Sequence, residues 1–230
     1  MTETLVLAVI LVPCLIIAIV FHEVAHGWTA LALGDPTAKE QKRLSLNPIR
    51  HVDPIGTLLV PGALALFGGP IFGWAKPVPV RGDRLRHPRY GMVAVAAAGP
   101  GTNLLLALVG ALLFGVVAGV ILAGGGELPF WLMNASGYFI LINVFLALFN
   151  LLPIPPFDGS HIVGGLLPRK WAVNWQKFQS LGMLVFIVLI AATWAFPNSG
   201  LLENTILRPV FWLEERYLEL ATWIARGIEG

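Results

Sequence analysis

The chain has 230 residues, 57% of them hydrophobic and 12% charged, with a net charge of +2 and a mean hydropathy of +0.77. A soluble domain carries roughly 25% charged residues, so this composition excludes a water-soluble globule and points to the lipid bilayer. The small net charge gives no support for a nucleic-acid partner, and a single cysteine, Cys14, excludes an intrachain disulfide framework.

Leu5 to Val20 is apolar without interruption. A helical pattern continues through His22, Glu23 and His26 to about Leu33, where Gly34-Asp35-Pro36 stops it. The Met1 end has no basic stretch and no small-residue cleavage site, which predicts a permanent membrane helix. The 58–74 segment is shorter and rich in Gly and Pro. Lys39, Lys42, Arg43 and Arg50 precede it, and Lys76, Arg81, Arg84, Arg86 and Arg89 follow it. Cytoplasmic loops collect Lys and Arg, so both flanks belong on one side and a re-entrant or interfacial segment is expected near 58–80. Its irregular backbone must then be shielded by protein.

Met92 to Ala123, interrupted by Gly99-Pro100-Gly101, Phe130 to Leu152, and Phe178 to Phe196 are further spans. The loops at 124–129 and 197–204 lack Lys and Arg, while 153–177 holds Arg169, Lys170 and Lys177. The expectation is an all-α polytopic cell-membrane protein of four to six transmembrane helices, N-terminus outside and basic loops in the cytoplasm. Thr205 to Ile228 carries Arg208, Glu214, Glu215, Arg216, Glu219 and Arg226, which predicts an amphipathic helix at the interface. Residues 1–230 read as a single membrane-embedded domain, with a core at 5–165 and accessory helices over 178–228. The sequence carries no signal for oligomeric state.

Ionisable residues inside a membrane span are costly and point to function. His22-Glu23-Val24-Ala25-His26 is H-E-x-x-H, with two imidazoles one turn apart on one helix face. Zinc accepts imidazole nitrogen at about 2.0–2.1 Å, and a catalytic site keeps one position for water. Glu23 sits where it can take a proton from that water. His22 lies roughly 25 Å along the helix from Leu5, toward the inner side of the bilayer. Candidates for a third ligand are Asp35, Asp53, Asp83, His51, His87, Asp158 and His161. Most lie in basic, water-facing loops. Asp158 follows Pro153, Pro155 and Pro156 at the end of the third long span, where non-helical backbone is tolerated if it lines a buried cavity.

His22 to His26 within a membrane helix, Gly99-Pro100-Gly101-Thr102-Asn103 in a later span, and Asn150-Leu151-Leu152-Pro153 through Asp158-Gly159 form a set. In these motifs the chain resembles the site-2 protease family of intramembrane zinc metallopeptidases over about residues 5 to 165. The segment from Asn47 to Thr57 is similar to one in compact prokaryotic members, and the sequence shows neither a PDZ nor a nucleotide-binding regulatory domain. The resemblance implies one zinc ion per chain held by His22, His26 and Asp158, with Glu23 as catalytic base. It implies that Asn150 and Asn103 help hold the substrate, a membrane protein cleaved in a transmembrane segment within or near the bilayer. The active site is then expected toward the cytoplasmic side.

Asn143 lies seven residues before Asn150 on roughly the same helix face and reads as an interhelical packing residue. His161 reads as a turn residue, with contact to the metal site or the substrate as its second reading. The 58–80 segment is the expected gate, or the edge with which an extended substrate pairs. A metal-binding transporter should show polar residues across several spans, and a catalytically silent scaffold should lose Glu23 or a ligand; neither pattern is present.

Overall fold

At bilayer depth no water is available to peptide groups, so a chain this apolar must satisfy its N–H and C=O groups within its own segments. Helices do this. In the computed structural model, which describes residues 2–66, 73–196, 200 and 202–230, every regular element among the described residues is helical. In chain order the α-helices are α1 (Thr2–Ala32), α2 (Thr37–Glu40), α3 (Val60–Leu66), α4 (Pro88–Ala123), α5 (Phe130–Asn150), α6 (Asp158–Leu166), α7 (Arg169–Gln179), α8 (Gly182–Ala195) and α9 (Arg208–Glu229).

Three of them are long and apolar enough to cross a membrane: Leu7–Ala32 of α1, all of α4 and all of α5. The expected fourth span divides at Ser180, between α7 and α8. At 1.5 Å per residue α8 measures roughly 21 Å, short of a hydrocarbon core of about 30 Å. The expected re-entrant segment is helical over Pro54–Leu59 and α3, then extended over 73–80; residues 67–72 lie outside the described residues.

α4 does not break at Gly99-Pro100-Gly101 but runs on as one helix of 36 residues. Pro100 removes one intrahelical bond, a defect that membrane helices tolerate when neighbours close around it, and Pro100 is fully buried. α1 and α5 both run antiparallel to α4. His22 is level with Asn103, Asn103 with Asn143, and Gly110 with Phe139.

Lipid tails are as apolar as the side chains, so these contacts depend on close packing of small residues. Ala18, Ala107, Ala111 and Ala147 are fully buried along them. α9 also packs lengthwise on α4 and α5, through a core of Ala107, Ala111, Ile140, Val144, Val210 and Ala221. As its charge count implied, α9 is not among the helices long and apolar enough to cross a membrane.

Asp35 fastens the end of α1. Its Oδ1 accepts from the Thr37 amide at 3.0 Å and from the Thr37 hydroxyl, and its Oδ2 accepts from the Arg81 amide at 2.6 Å. The Arg86 amide donates to the Leu33 carbonyl at 2.9 Å, so the strap leading into α4 is tied to the end of α1. Burial favours the neutral acid, but these donors and the Arg84 charge outweigh it and hold the Asp35 carboxyl below its ordinary value. A depressed folded-state pKa gives stability that is complete above the unfolded value, about 3.9, and is lost as pH falls through the folded value. Asp35→Asn is expected to lower stability at pH 7 by about 1–3 kcal/mol and to flatten the loss below pH ~4. Unfolding in detergent at pH 7 and pH 3 checks this; equal pH slopes for the two proteins would remove Asp35 from the account.

Candidate metal centre

The helical period of α1 puts His22 and His26 on one face, with ring centroids 4.7 Å apart. α5 ends at Asn150, and turns carry the chain to Asp158 in the first turn of α6. Gly159 makes that turn possible, because a Cβ there would collide with the Leu151 and Leu152 carbonyl oxygens. Asp158 Oδ2 then lies 3.2 Å from His22 Nε2 and 3.4 Å from His26 Nε2. Among the described residues these three form the only group of His, Cys, Asp or Glu side chains placed to hold a metal ion, with ligand atoms within 4.8 Å of one another.

The far sides of the rings fix the chemistry. His26 Nδ1 lies 2.7 Å from the Val95 carbonyl oxygen, which can only accept, so Nδ1 carries the proton. His22 Nδ1 lies 2.6 Å from Asn103 Oδ1. The orientation of that amide is set by its other end, since Asn103 Nδ2 donates to the Ala18 carbonyl at 3.0 Å and to Asn143 Oδ1 at 2.9 Å. When neutral, both rings are therefore Nδ1–H tautomers, with both Nε2 lone pairs toward Asp158. Its Oδ2 is buried with no hydrogen-bond donor. With neutral rings the three converging acceptors repel one another, and a cation removes that cost.

Gly99 completes the cradle. A Cβ on it would stand 2.5 Å from His26 Nε2 and 2.6 Å from His22 Nε2, so α4 can face both ligand atoms only where it has no side chain. Sequence reasoning registered Gly99 as part of a helix interruption and missed this role. Its signal was the Gly-Pro-Gly triplet, whose first member faces the imidazoles.

Glu23 lies beside the cluster and accepts from the Val78 amide at 2.8 Å through Oε2. The extended 73–80 segment therefore lies across the site. Its Trp74 and Lys76 amides donate the other way, to the Gly56 and His51 carbonyls, and Arg43 holds the Lys76 carbonyl at 2.7 Å. A cavity of about 390 Å³ opens between this segment and the helices, lined by His22, Glu23, Trp74, Pro77, Asn150 and Phe157.

Asn150 thus faces the cavity, its Nδ2 donating to the Leu146 carbonyl at 2.9 Å. Asn103 does not: it is fully buried, and both ends of its amide are engaged with His22, Ala18 and Asn143. The expected substrate contact at Asn103 gives way to a bond that orients His22. Asn143 packs between helices as expected. His161 lies in a different cavity of about 530 Å³, beside Arg89 and Arg169. Of the other ligand candidates, Asp35 serves the strap, Asp53 caps a helical turn through the Ile55 and Gly56 amides, and Asp83 pairs with Arg81. His51 Nε2 bonds the Ser45 carbonyl, and His87 immediately precedes the first turn of α4.

Comparison with known proteins agrees with this geometry. The family profile described as Peptidase family M50 matches residues 114–193, which include Asn150 and Asp158. YwhC of Bacillus subtilis, MJ0611 of Methanocaldococcus jannaschii and Rip2 of Mycolicibacterium smegmatis all carry zinc-metalloprotease names. YwhC is 38% identical over 86% of this chain and 89% of its own length. MJ0611 is 31% identical over 67% and 68%, and Rip2 is 28% identical over 76% and 64%. No solved structure matches. With the 38% identity to YwhC running through most of both chains, and the match to the family profile, the chain belongs to peptidase family M50.

Proposed function

We propose that residues 1–230 act as one membrane-embedded zinc metallopeptidase domain, in which His22, His26 and Asp158 hold the ion and Glu23 moves the proton. The observation that carries this is the convergence of two Nε2 lone pairs and an unpartnered buried carboxylate oxygen, with both Nδ1 protons committed outward. Zinc bound there supplies a positive charge for the scissile carbonyl and water acidified to a pKa of about 7.

Glu23, next to His22 and facing the same cavity, takes the proton of the attacking water and returns it to the leaving amine. Asn150, on the cavity wall, is placed to donate to the substrate backbone. Asn103 and the Val95 carbonyl keep the imidazoles turned inward.

The substrate proposed is a transmembrane segment of another membrane protein, unwound locally so that one peptide bond reaches the 390 Å³ cavity. It reaches the cavity when the 73–80 segment is drawn aside. The basic loops at 39–50 and 76–89 lie at the same ends of α1 and α4 as His26 and Gly99. That favours an orientation with the metal centre toward the cytoplasm and the N-terminus outside. The transporter and scaffold alternatives are not favoured, because Glu23 stands beside a complete ligand set.

Asp158→Ala is expected to lower zinc content well below one ion per chain, because it removes the only carboxylate among the three ligands. Metal analysis of the purified protein checks this, and undiminished zinc would exclude Asp158 from the ligand set.

A further inference from the structure

The cavity beside the metal centre has two unlike halves. His22, Glu23 and Asn150 make the polar one. Ile19 and Leu146 stand about one helical turn before His22 and Asn150 on α1 and α5, and with Phe149, Phe157 and Phe186 they make an apolar wall. A peptide bond held at the polar half must lay a neighbouring side chain against this wall.

Phe186 differs from the rest of the wall in where it comes from. Ile19, Leu146 and Phe149 lie on α1 and α5, the helices that carry His22, Glu23, His26 and Asn150, and Phe157 immediately precedes Asp158. Phe186 is on α8, which carries none of the residues assigned to the metal or to proton transfer.

α8 meets the proline turn that leads to Asp158. A Cβ on Gly182 would stand 2.7 Å from the Cβ of Pro155, which is fully buried, so helix and turn touch there with no side chain between them. One turn later the Phe186 and Phe157 rings meet edge to face, with centroids 5.5 Å apart and planes at 88°. Phe157 also packs on Phe149, with centroids 4.4 Å apart. Aromatic pairs in such arrangements hold one another in place, and Phe157 and Phe186 are only 7% and 4% exposed. A side chain entering the cavity therefore meets a fixed boundary, since interiors packed this closely yield little.

We propose that Phe186 is a specificity-determining residue: it sets the largest apolar side chain that a substrate can carry next to the bond to be cut. The wall offers nothing to a charged or amide side chain, which would be buried without a partner. Among apolar side chains it discriminates by size, because a boundary that must be pushed aside for each added methylene does so steeply. This selectivity comes from a helix outside the motifs that build the metal centre, so it is adjustable without touching His22, His26 or Asp158.

The inference deepens the proposed peptidase function and rests on it. Its test uses model transmembrane substrates that differ only at the residues flanking the bond the wild type cuts, located by mass spectrometry. Each flanking position in turn carries Ala, Leu, Phe or Trp. The quantity read is the ratio of kcat/KM for the Trp substrate to that for the Ala substrate, with zinc measured in every protein.

In Phe186→Leu and Phe186→Ala this ratio is expected to rise about tenfold or more at one flanking position, further in Phe186→Ala, with zinc unchanged. Phe145→Ala is the control. Its ring stacks on Phe149, with centroids 5.3 Å apart, but does not line the cavity, so the wild-type ratio should persist. The proposal is overturned if both Phe186 variants keep the wild-type ratio, or if Phe145→Ala shifts it as far. Loss of zinc from both Phe186 variants also overturns it, since the ring would then support the metal centre. If the zinc-loaded wild type cuts no member of the series, the peptidase reading falls and takes this inference with it; unaltered ratios in active proteins leave that reading intact.

Discussion

A Glu23→Gln protein is expected to keep its zinc and to lose peptide cleavage by about 10²- to 10⁴-fold, the range for removal of a general base. Glutamine matches glutamate in shape, and its carbonyl oxygen can still accept the Val78 amide that Glu23 Oε2 accepts at 2.8 Å. The 73–80 segment therefore stays in place, and the ligands His22, His26 and Asp158 are untouched. What disappears is the ability to take up a proton. Cleavage of a model transmembrane segment, measured beside metal content, isolates that step. Cleavage at the wild-type rate would reassign the proton transfer to another group.

Gly99→Ala is expected to reduce zinc affinity on the order of 100-fold, as large as the loss from disrupting ligand orientation. The added methyl would stand 2.5 Å from one ligand nitrogen and 2.6 Å from the other, so the imidazoles must move apart or the ion must be displaced. Intrinsic helix propensity works in the opposite direction, since alanine is favoured over glycine in a helix by about 1 kcal/mol.

Gly101→Ala is the control. Nothing lies within 4 Å of a Cβ at that position, and its zinc affinity should equal that of the wild type. Competition against a graded chelator measures both. Full affinity in Gly99→Ala would show that the ion does not sit between the two Nε2 atoms and α4.

The proposed ligands were readable from the sequence as candidates because the pattern that marks them is local. His22 and His26 are four residues apart in an unambiguous helix, and Asp158 follows a run of prolines that cannot continue one. The partners behind them were not readable in the same way. The Val95 carbonyl that fixes the His26 tautomer is backbone and leaves no trace in residue identity. Asn103 was visible as a polar residue in a span. That it faces His22 and not the cavity follows from how α1, α4 and α5 are rotated against one another, and no single segment encodes that rotation.

The long apolar helices were found at nearly their observed limits. The docking of α9 along α4 was not legible, because it rests on two inconspicuous glycines. Gly115 and Gly119 look like Gly91 or Gly110 in the sequence, yet they admit the α9 backbone to van der Waals contact. The α4 helix survives Gly99-Pro100-Gly101 for a related reason: packing around Pro100 supplies what its local propensity lacks.

The bond from Val78 to Glu23 joins the strap over the cavity to the carboxylate proposed to move the proton. Under the proposed function, that hydrogen bond ties the proton-moving side chain to the main chain covering the cavity, and a polypeptide that displaces the strap frees one carboxylate oxygen in the same motion.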